Sequence, residues 1–125
     1  MQAVLVDTDI AIDYLRGIQY ANDFMDGLWE NNAACLSILS VYELYAGMRE
    51  DEREDTENFI NACNIETVTR EIASKGGELY RQNRTKGVTL TSIDCLVAAT
   101  AMVNGHKIAT RNVSHYPDKK LLKIP

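Results

Sequence analysis

A short apolar run that stops at an aspartate constrains the fold of this chain more than any other feature. Residues 4–6, Val-Leu-Val, have the composition of a buried strand and are followed directly by Asp7. From Ile10 onward the apolar residues recur at helical spacing, which predicts a helix from just after Asp7 to Gly17. Asp7 is therefore predicted to lie at the carboxyl end of a strand, where open α/β sheets form their ligand crevices.

The rest of the chain alternates between strand and helix patterns. Further strands are predicted at residues 33–38, 65–68, 107–110 and 121–124. Further helices are predicted at residues 18–32, from Ser40 through Met48, through Phe59 and Ile60, from a cap at Thr69 to about Lys86, and at residues 93–104. The alternation predicts an α/β fold with a mainly parallel sheet and helices on both faces. With 125 residues, the range 1–125 is expected to be a single domain.

Composition narrows the classes of function. The formal net charge of −5 argues against a general electrostatic nucleic-acid binder, but carboxylates that hold cations are counted as negative, so a nuclease is not excluded. The longest apolar run, residues 95–103, is far below the roughly 18 residues that cross a bilayer, so we expect a cytoplasmic protein with no membrane partner. The three cysteines lack metal-ligand spacing and predict small buried residues rather than disulfides or zinc ligands.

Three acids stand where helices are predicted to begin. Each has a structural alternative: Asp7 fits a helix cap, Glu43 fits a capping box with Ser40, and Asp94 fits the first turn of a buried helix. If they converge at one edge of the sheet, their repulsion requires a shared proton or a divalent cation. Oxygen ligands favour Mg²⁺ or Mn²⁺ over zinc, and such a site activates water for phosphodiester hydrolysis.

Two further acids lie on the first predicted helix. Asp9 is a candidate for a secondary role beside Asp7, although it also suits the positive end of the helix dipole. Asp13 is interpreted as the surface ion-pair partner of Arg16, which is three residues further along the helix. The sequence therefore predicts one functional carboxylate in this stretch, with the other two acids in supporting positions.

Four segments occur in order along nearly the whole chain: DTDIAIDYLRG at 7–17, SVYELYAG at 40–47, IDCLVAATAM at 93–102 and IATRN at 108–112. Together they resemble the PIN-domain family, specifically its VapC-type toxin ribonucleases. The resemblance implies an α/β/α sandwich, cleavage of RNA with Mg²⁺ or Mn²⁺ to 5′-phosphate and 3′-hydroxyl ends, a homodimer, and inhibition by a VapB-like antitoxin. It assigns the catalytic and metal-binding acids to Asp7, Glu43 and Asp94.

The fourth acidic position departs from the family pattern. Many PIN domains carry an aspartate three residues after the asparagine of the TRN segment, where this chain has His115. The number of bound metals is therefore left open. Thr110 and Asn112 are candidates for neutral oxygen ligands, and Arg111 and His115 are candidate substrate contacts. The structural alternatives are a salt bridge between Arg111 and a site carboxylate, and an exposed loop position for His115.

Other interpretations are weighed against the nuclease. The segment VLVDTD resembles the DxD start of haloacid-dehalogenase-type phosphatases, but Ala11 occupies a position that is Thr or Val in those sites. A catalytically weak or inactive PIN-like protein-binding module is favoured by His115 and by the acidic net charge. Arg49 and Arg53 are candidate contacts for an acidic antitoxin tail.

Overall fold

A computed structural model describes residues 2–125 of the chain. Within this range the sheet contains β1 (Val4–Val6), β2 (Ala34–Ser37), β3 (Asn64–Glu66), β4 (Lys107–Ala109) and β5 (Leu122–Lys123). The helices of the same range are α1 (Thr8–Leu15), α2 (Gln19–Glu30), α3 (Ile38–Gly47), α4 (Arg53–Asn61), α5 (Arg70–Thr85) and α6 (Ser92–Asn104). All neighbouring strands are parallel, so the predicted α/β class is confirmed.

β1 lies at the centre of the sheet, whose strand order is β3-β2-β1-β4-β5. It pairs with β2 on one side and with β4 on the other, so the strand order reverses at β1. In open parallel sheets such a reversal opens a crevice at the carboxyl ends of the central strands. Asp7 follows β1 directly, and its amide donates a hydrogen bond to the Ala109 carbonyl at 2.9 Å. The fold therefore places Asp7 at the crevice.

Helices cover both faces of the sheet, which confirms the predicted α/β/α sandwich. On one face, α1 to α4 bury apolar side chains such as Ile10, Met25 and Leu44 against β1 and β2. On the other face, α5 and α6 pack through residues such as Leu79 and Val97. Because β1 is covered on both sides, its residues are apolar without the alternation that is typical of half-exposed strands.

The start of α3 differs from the sequence prediction. Ser40 is predicted to cap this helix and to form a capping box with Glu43, and this is wrong. The helix begins at Ile38, directly after β2, and the Ser37 hydroxyl accepts a hydrogen bond from the Leu39 amide at 3.1 Å. Two serines three residues apart both fit the cap pattern, and the direct passage from strand to helix selects the earlier one. Glu43 therefore has no capping role.

The ends of α5 and α6 show side-chain caps and a glycine stop, and the predicted cap at Thr69 is confirmed. Thr69 caps α5, and Thr91 caps α6 by accepting a hydrogen bond from the Asp94 amide at 3.1 Å. Gly105 ends α6 with a φ of 71°, a conformation that glycine adopts without steric cost. A Cβ on Gly76 would lie 2.8 Å from Leu96 Cδ2, so this glycine allows α5 to approach α6 closely. This contact explains a glycine that would otherwise weaken the middle of a helix.

Two predictions from composition concern the state of the cysteines and the lack of a membrane-spanning segment. Cys35, Cys63 and Cys95 are free and buried, as the sequence predicts. Burial raises the pKa of the Cys63 thiol to about 11, so this side chain stays protonated at neutral pH. Within residues 2–125, no helix combines the length and the apolar character that a membrane crossing requires.

Candidate active site

Asp7 is the centre of the candidate site. Its side chain is nearly buried, and three hydrogen-bond donors hold the carboxylate. The Thr8 amide donates to Oδ1 at 2.9 Å, while the hydroxyls of Thr110 and Tyr116 donate to Oδ2 at 2.9 and 3.1 Å. Burial and the nearby charge of Asp9 nevertheless raise the pKa of Asp7. The three donors thus orient a carboxylate whose ionised form is disfavoured by burial and by Asp9.

Asp9 and Thr110 form the side of the site next to β4. Asp9 Oδ2 accepts a hydrogen bond from the Arg111 amide at 2.8 Å and lies 3.4 Å from Thr110 Oγ1. Thr110 Oγ1 also accepts a hydrogen bond from the Asn112 amide at 3.0 Å. The hydroxyl of Thr110 is thus engaged with Asp7 and with its own loop. Asp9 joins α1 to the loop after β4, which is a supporting position.

Glu43 is connected to Asp7 through Thr8. The Thr8 hydroxyl donates to Glu43 Oε1 at 2.8 Å, while the Thr8 amide donates to Asp7 Oδ1. Thr8 is the first residue of α1, so one residue at the start of this helix positions both acids. Gly47, one turn after Glu43, lines a groove together with this acid.

Asp94 lies in the first turn of α6. Its side chain is 15% exposed, and its Oδ1 is 3.7 Å from His115 Nδ1. His115 itself is 48% exposed. His115, which stands where many PIN domains have a fourth acid, therefore faces Asp94. Asn112 is exposed in the loop after β4. Its backbone amide, and not its side chain, donates the hydrogen bond to Thr110 Oγ1.

Tyr116 is a site residue that sequence reasoning missed. Its side chain is 1% exposed, and its hydroxyl contacts Asp7. Burial, together with the charges of Asp7 and Asp94, raises the pKa of Tyr116, so the phenol stays protonated and acts as a donor. No local pattern marks this tyrosine, because it follows a single-turn 3₁₀ helix, Val113–His115, rather than a strand or an α-helix.

The prediction that Asp13 forms a surface ion pair with Arg16 is wrong. Asp13 is 3% exposed rather than on the surface, and its Oδ2 pairs with Arg111 Nε at 2.8 Å instead of with Arg16. The Tyr20 hydroxyl donates to the same oxygen through a short hydrogen bond. The Arg111 guanidinium also lies over the Tyr20 ring, 5.7 Å from its centroid. Burial and Asp13 raise the pKa of Tyr20 to about 12. Asp13 therefore positions Arg111 beside the site.

Two of the three predicted acids, Asp7 and Glu43, are linked through Thr8, and Asp94 lies near Tyr116, whose hydroxyl contacts Asp7. Within residues 2–125, only one group of three or more potential ligand side chains has all its ligand atoms within 4.8 Å of one another. That group does not contain Asp7, Glu43 or Asp94. At least one pair among Asp7, Glu43 and Asp94 therefore has its carboxylate oxygens more than 4.8 Å apart.

Comparison with known proteins agrees with this architecture. The PIN domain family model matches residues 4–116. The chain is 34% identical over 122 residues to Ribonuclease VapC10 of Mycobacterium tuberculosis, which covers 98% of this chain and 92% of that protein. It is 40% identical over 114 residues to Ribonuclease VapC19 of the same species, with coverage of 90% and 91%. The DNA-bound VapBC structure from Salmonella typhimurium shares the fold, with a TM-score of 0.84 at 18% identity and coverage of 100% and 98%. Because the family match includes the whole cluster from Asp7 to Tyr116, this chain belongs to the PIN domain family.

Proposed function

We propose that this chain is a metal-dependent endoribonuclease and the toxin of a toxin–antitoxin pair. The observation that carries the proposal is the environment of Asp7, a carboxylate that is buried near Asp9 and held by three hydrogen-bond donors at the carboxyl end of the central strand. The names of the relatives, Ribonuclease VapC10 and Ribonuclease VapC19, support the reaction class. We assign Asp7, Glu43 and Asp94 as the catalytic and metal-binding residues.

The donor set fits Mg²⁺ or Mn²⁺. It consists of carboxylate oxygens, which these hard ions prefer, and the buried charge of Asp7 gains most from a cation nearby. We assign Asp7 and Asp94 to the ion and Glu43, which is linked to Asp7 through Thr8, to a direct or water-mediated contact with it. When bound, such an ion stabilises the charge that develops on the phosphoryl group and makes water a stronger nucleophile at neutral pH.

The chain's own residues account for the proton transfer. Thr8 holds Oε1 of Glu43, and we assign the second oxygen of Glu43 to the attacking water, whose proton it accepts. The water oxygen then bonds to phosphorus as the bond to the 3′ oxygen breaks. The 3′ oxygen takes up a proton from solvent, so the products carry 5′-phosphate and 3′-hydroxyl ends.

Arg111 and His115 are the residues we assign to RNA. The Arg111 side chain is 56% exposed although its Nε is paired with Asp13, so its remaining N–H groups can meet a phosphate. His115 is exposed on the other side of Asp94. Asn112 and Thr110 remain candidates for neutral oxygens near the ion, with the Thr110 hydroxyl already donated to Asp7.

We assign two surfaces to protein partners. A groove of about 160 Å³ between α1 and α3 includes Ile12, Leu44 and Met48 and reaches Glu43, so a VapB-like antitoxin seated there would cover the site. A second surface on α3 exposes Tyr42 and Tyr45, and we assign it to a second copy of the chain. Solved toxin–antitoxin complexes share this fold, which supports the antitoxin assignment.

The predicted contact of Arg49 and Arg53 with an antitoxin tail gains no support. Arg49 pairs with Asp51 and Glu52, and Arg53 pairs with Glu50 and Glu57 of the same segment. These exposed pairs are worth little to stability, but they reduce the positive charge that an acidic partner would meet.

Cleavage of a labelled single-stranded RNA by the purified protein tests the proposal. We expect cleavage with Mg²⁺ or Mn²⁺, none in excess chelator, and a loss of about 100-fold or more in Asp94→Asn. Asp26→Asn, which changes an exposed acid on α2, is the matched control and should cleave normally. Cleavage that persists in chelator would refute the metal-dependent nuclease, and a protein inert under every condition would favour the protein-binding module.

A further inference from the structure

A second cluster of potential ligands lies on the α5/α6 side of the sheet. It consists of Cys35 in β2, Glu66 at the end of β3 and His106 just before β4. Their ligand atoms all lie within 4.8 Å of one another. His106 Nε2 and Glu66 Oε1 are 2.6 Å apart, which is a strong hydrogen bond. Three different elements therefore bring a sulfur, a nitrogen and an oxygen ligand to one point.

This cluster is separate from the carboxylates around Asp7. His106 precedes β4, whereas Thr110, which contacts Asp7, follows it, so the two groups approach β4 from opposite ends. The ligand types also differ. The site at Asp7 offers oxygen atoms, and the second cluster offers a thiolate and an imidazole, which borderline-soft metals prefer.

The separations suit a tetrahedral metal. Zinc binds sulfur at about 2.3 Å and nitrogen or oxygen at about 2.0 to 2.2 Å, which places neighbouring ligand atoms about 3.3 to 3.8 Å apart. The Glu66–His106 contact of 2.6 Å must widen by about 1 Å, and the Cys35 sulfur lies within 4.8 Å of both atoms. The His106 and Glu66 side chains are 14% and 25% exposed, so an ion can reach the cluster from solvent.

The Cys35 thiol is protonated in the metal-free protein at neutral pH. Burial and the charge of Glu66 raise its pKa to about 11, so binding of a metal ion requires release of the thiol proton. Cys63 is buried to a similar degree but does not belong to the cluster. It therefore offers a matched comparison for Cys35.

We propose that Cys35, Glu66 and His106 form a zinc-binding site, with water in the fourth position. On binding, the thiol proton of Cys35 leaves to solvent, and the imidazole proton of His106 moves from Nε2 to Nδ1 as Nε2 takes the metal. No electron transfer is involved. The bound ion would tie β2, β3 and the start of β4 together across one face of the sheet. This site does not depend on the nuclease proposal.

Cobalt titration of the full chain tests the site, because a cobalt–thiolate bond gives a near-ultraviolet charge-transfer absorbance that carboxylate ligands do not give. We expect this absorbance to appear with one cobalt per chain and to disappear when zinc is added. Cys35→Ala should abolish it, and His106→Gln should weaken cobalt binding about tenfold or more. Cys63→Ala should retain it.

Two controls keep the outcome separate from the candidate active site. Asp94→Asn removes a carboxylate of that site and should leave the absorbance unchanged, whether or not the chain cleaves RNA. Zinc should also raise the melting temperature of the wild type more than that of Cys35→Ala. The proposal is overturned if the wild type gives no thiolate absorbance, or if the absorbance survives in Cys35→Ala.

Discussion

The Tyr116 hydroxyl donates a hydrogen bond to Asp7 Oδ2 at 3.1 Å, although the two residues are 109 positions apart in the chain. The same oxygen accepts a hydrogen bond from Thr110, and Oδ1 accepts one from the Thr8 amide. Donors from three separate segments therefore fix the plane of one carboxylate. Because each donor stabilises the ionised form, together they oppose the effect of burial on the pKa of Asp7.

Tyr116→Phe should change the pH dependence of cleavage. The variant keeps the buried ring and removes only the donor, so the free energy of unfolding should fall by about 1 kcal/mol. The pKa of Asp7 should rise further, because the Tyr116 hydrogen bond lowers it. A pH–rate profile with labelled RNA should show the acid limb moved to higher pH. Tyr80→Phe, which changes an exposed ring on α5, is the control. An unmoved acid limb would refute the positioning role.

Asp7→Asn should stabilise the metal-free protein while abolishing cleavage. Burial, and then Asp9, raise the pKa of Asp7 above 3.8, so the folded protein binds this proton more tightly than the unfolded chain does. The stability contributed by the protonated form is present below pH 3.8 and is lost as the pH rises through the raised pKa. Asparagine carries no charge, so at neutral pH in chelator the variant should be more stable by about 1 kcal/mol.

Thermal unfolding across a pH series checks this expectation. The gain in Asp7→Asn should shrink as the pH is lowered toward 3.8, where the wild-type carboxyl is neutral as well. Asp26→Asn should show no such gain. A variant that is less stable than the wild type at neutral pH would mean that the hydrogen bonds to the carboxylate outweigh its burial.

Asp13→Ala should destabilise the fold far more than Arg16→Ala does. Removing Asp13 leaves the Tyr20 hydroxyl and the Arg111 guanidinium without their shared acceptor, which should cost about 1 to 3 kcal/mol. Removing exposed Arg16 should cost about 0.5 kcal/mol or less. Urea denaturation of both variants measures the difference. Equal destabilisation by the two variants would instead support the surface ion pair between Asp13 and Arg16 that the sequence predicts.

Alanine at two adjacent glycines should have effects of opposite sign. In Gly76→Ala the new Cβ would meet Leu96 Cδ2 at 2.8 Å, and the strain should cost about 1 to 3 kcal/mol. In Gly77→Ala the Cβ would meet only the end of Arg81 at 3.7 Å, so the better helix propensity should add about 0.5 to 1 kcal/mol. Chemical denaturation of the two variants tests this, and a stabilised Gly76→Ala would contradict the close packing of α5 and α6.

Much of the fold follows from local patterns. The Val-Leu-Val run, the cap at Thr69 and the glycine stop at Gly105 are each determined by neighbours within a few residues. The choice between Ser37 and Ser40 was not predictable in this way, because both fit a cap. It depends on where β2 ends, and that is set by pairing with β3.

The contacts of the site residues depend on long-range partners instead. Glu43 is held by Thr8, Asp13 by Arg111, and Asp7 by Tyr116, and no local spacing encodes any of these pairs. The sequence therefore indicated which acids to consider through their places at predicted helix starts, although Glu43 lies in the middle of α3. It could not indicate which of them are buried, because burial is a property of the assembled sheet.

The central position of β1 determines which unfolding events can displace Asp7. Val4, Leu5 and Val6 are 1% or less exposed, and β1 is paired along both edges. Amide protons in such a strand exchange with deuterium only when the whole sheet opens. Asp7 is attached directly to this strand, so partial fraying of the loops or of α5 cannot displace it. The key carboxylate is therefore retained or lost together with the fold.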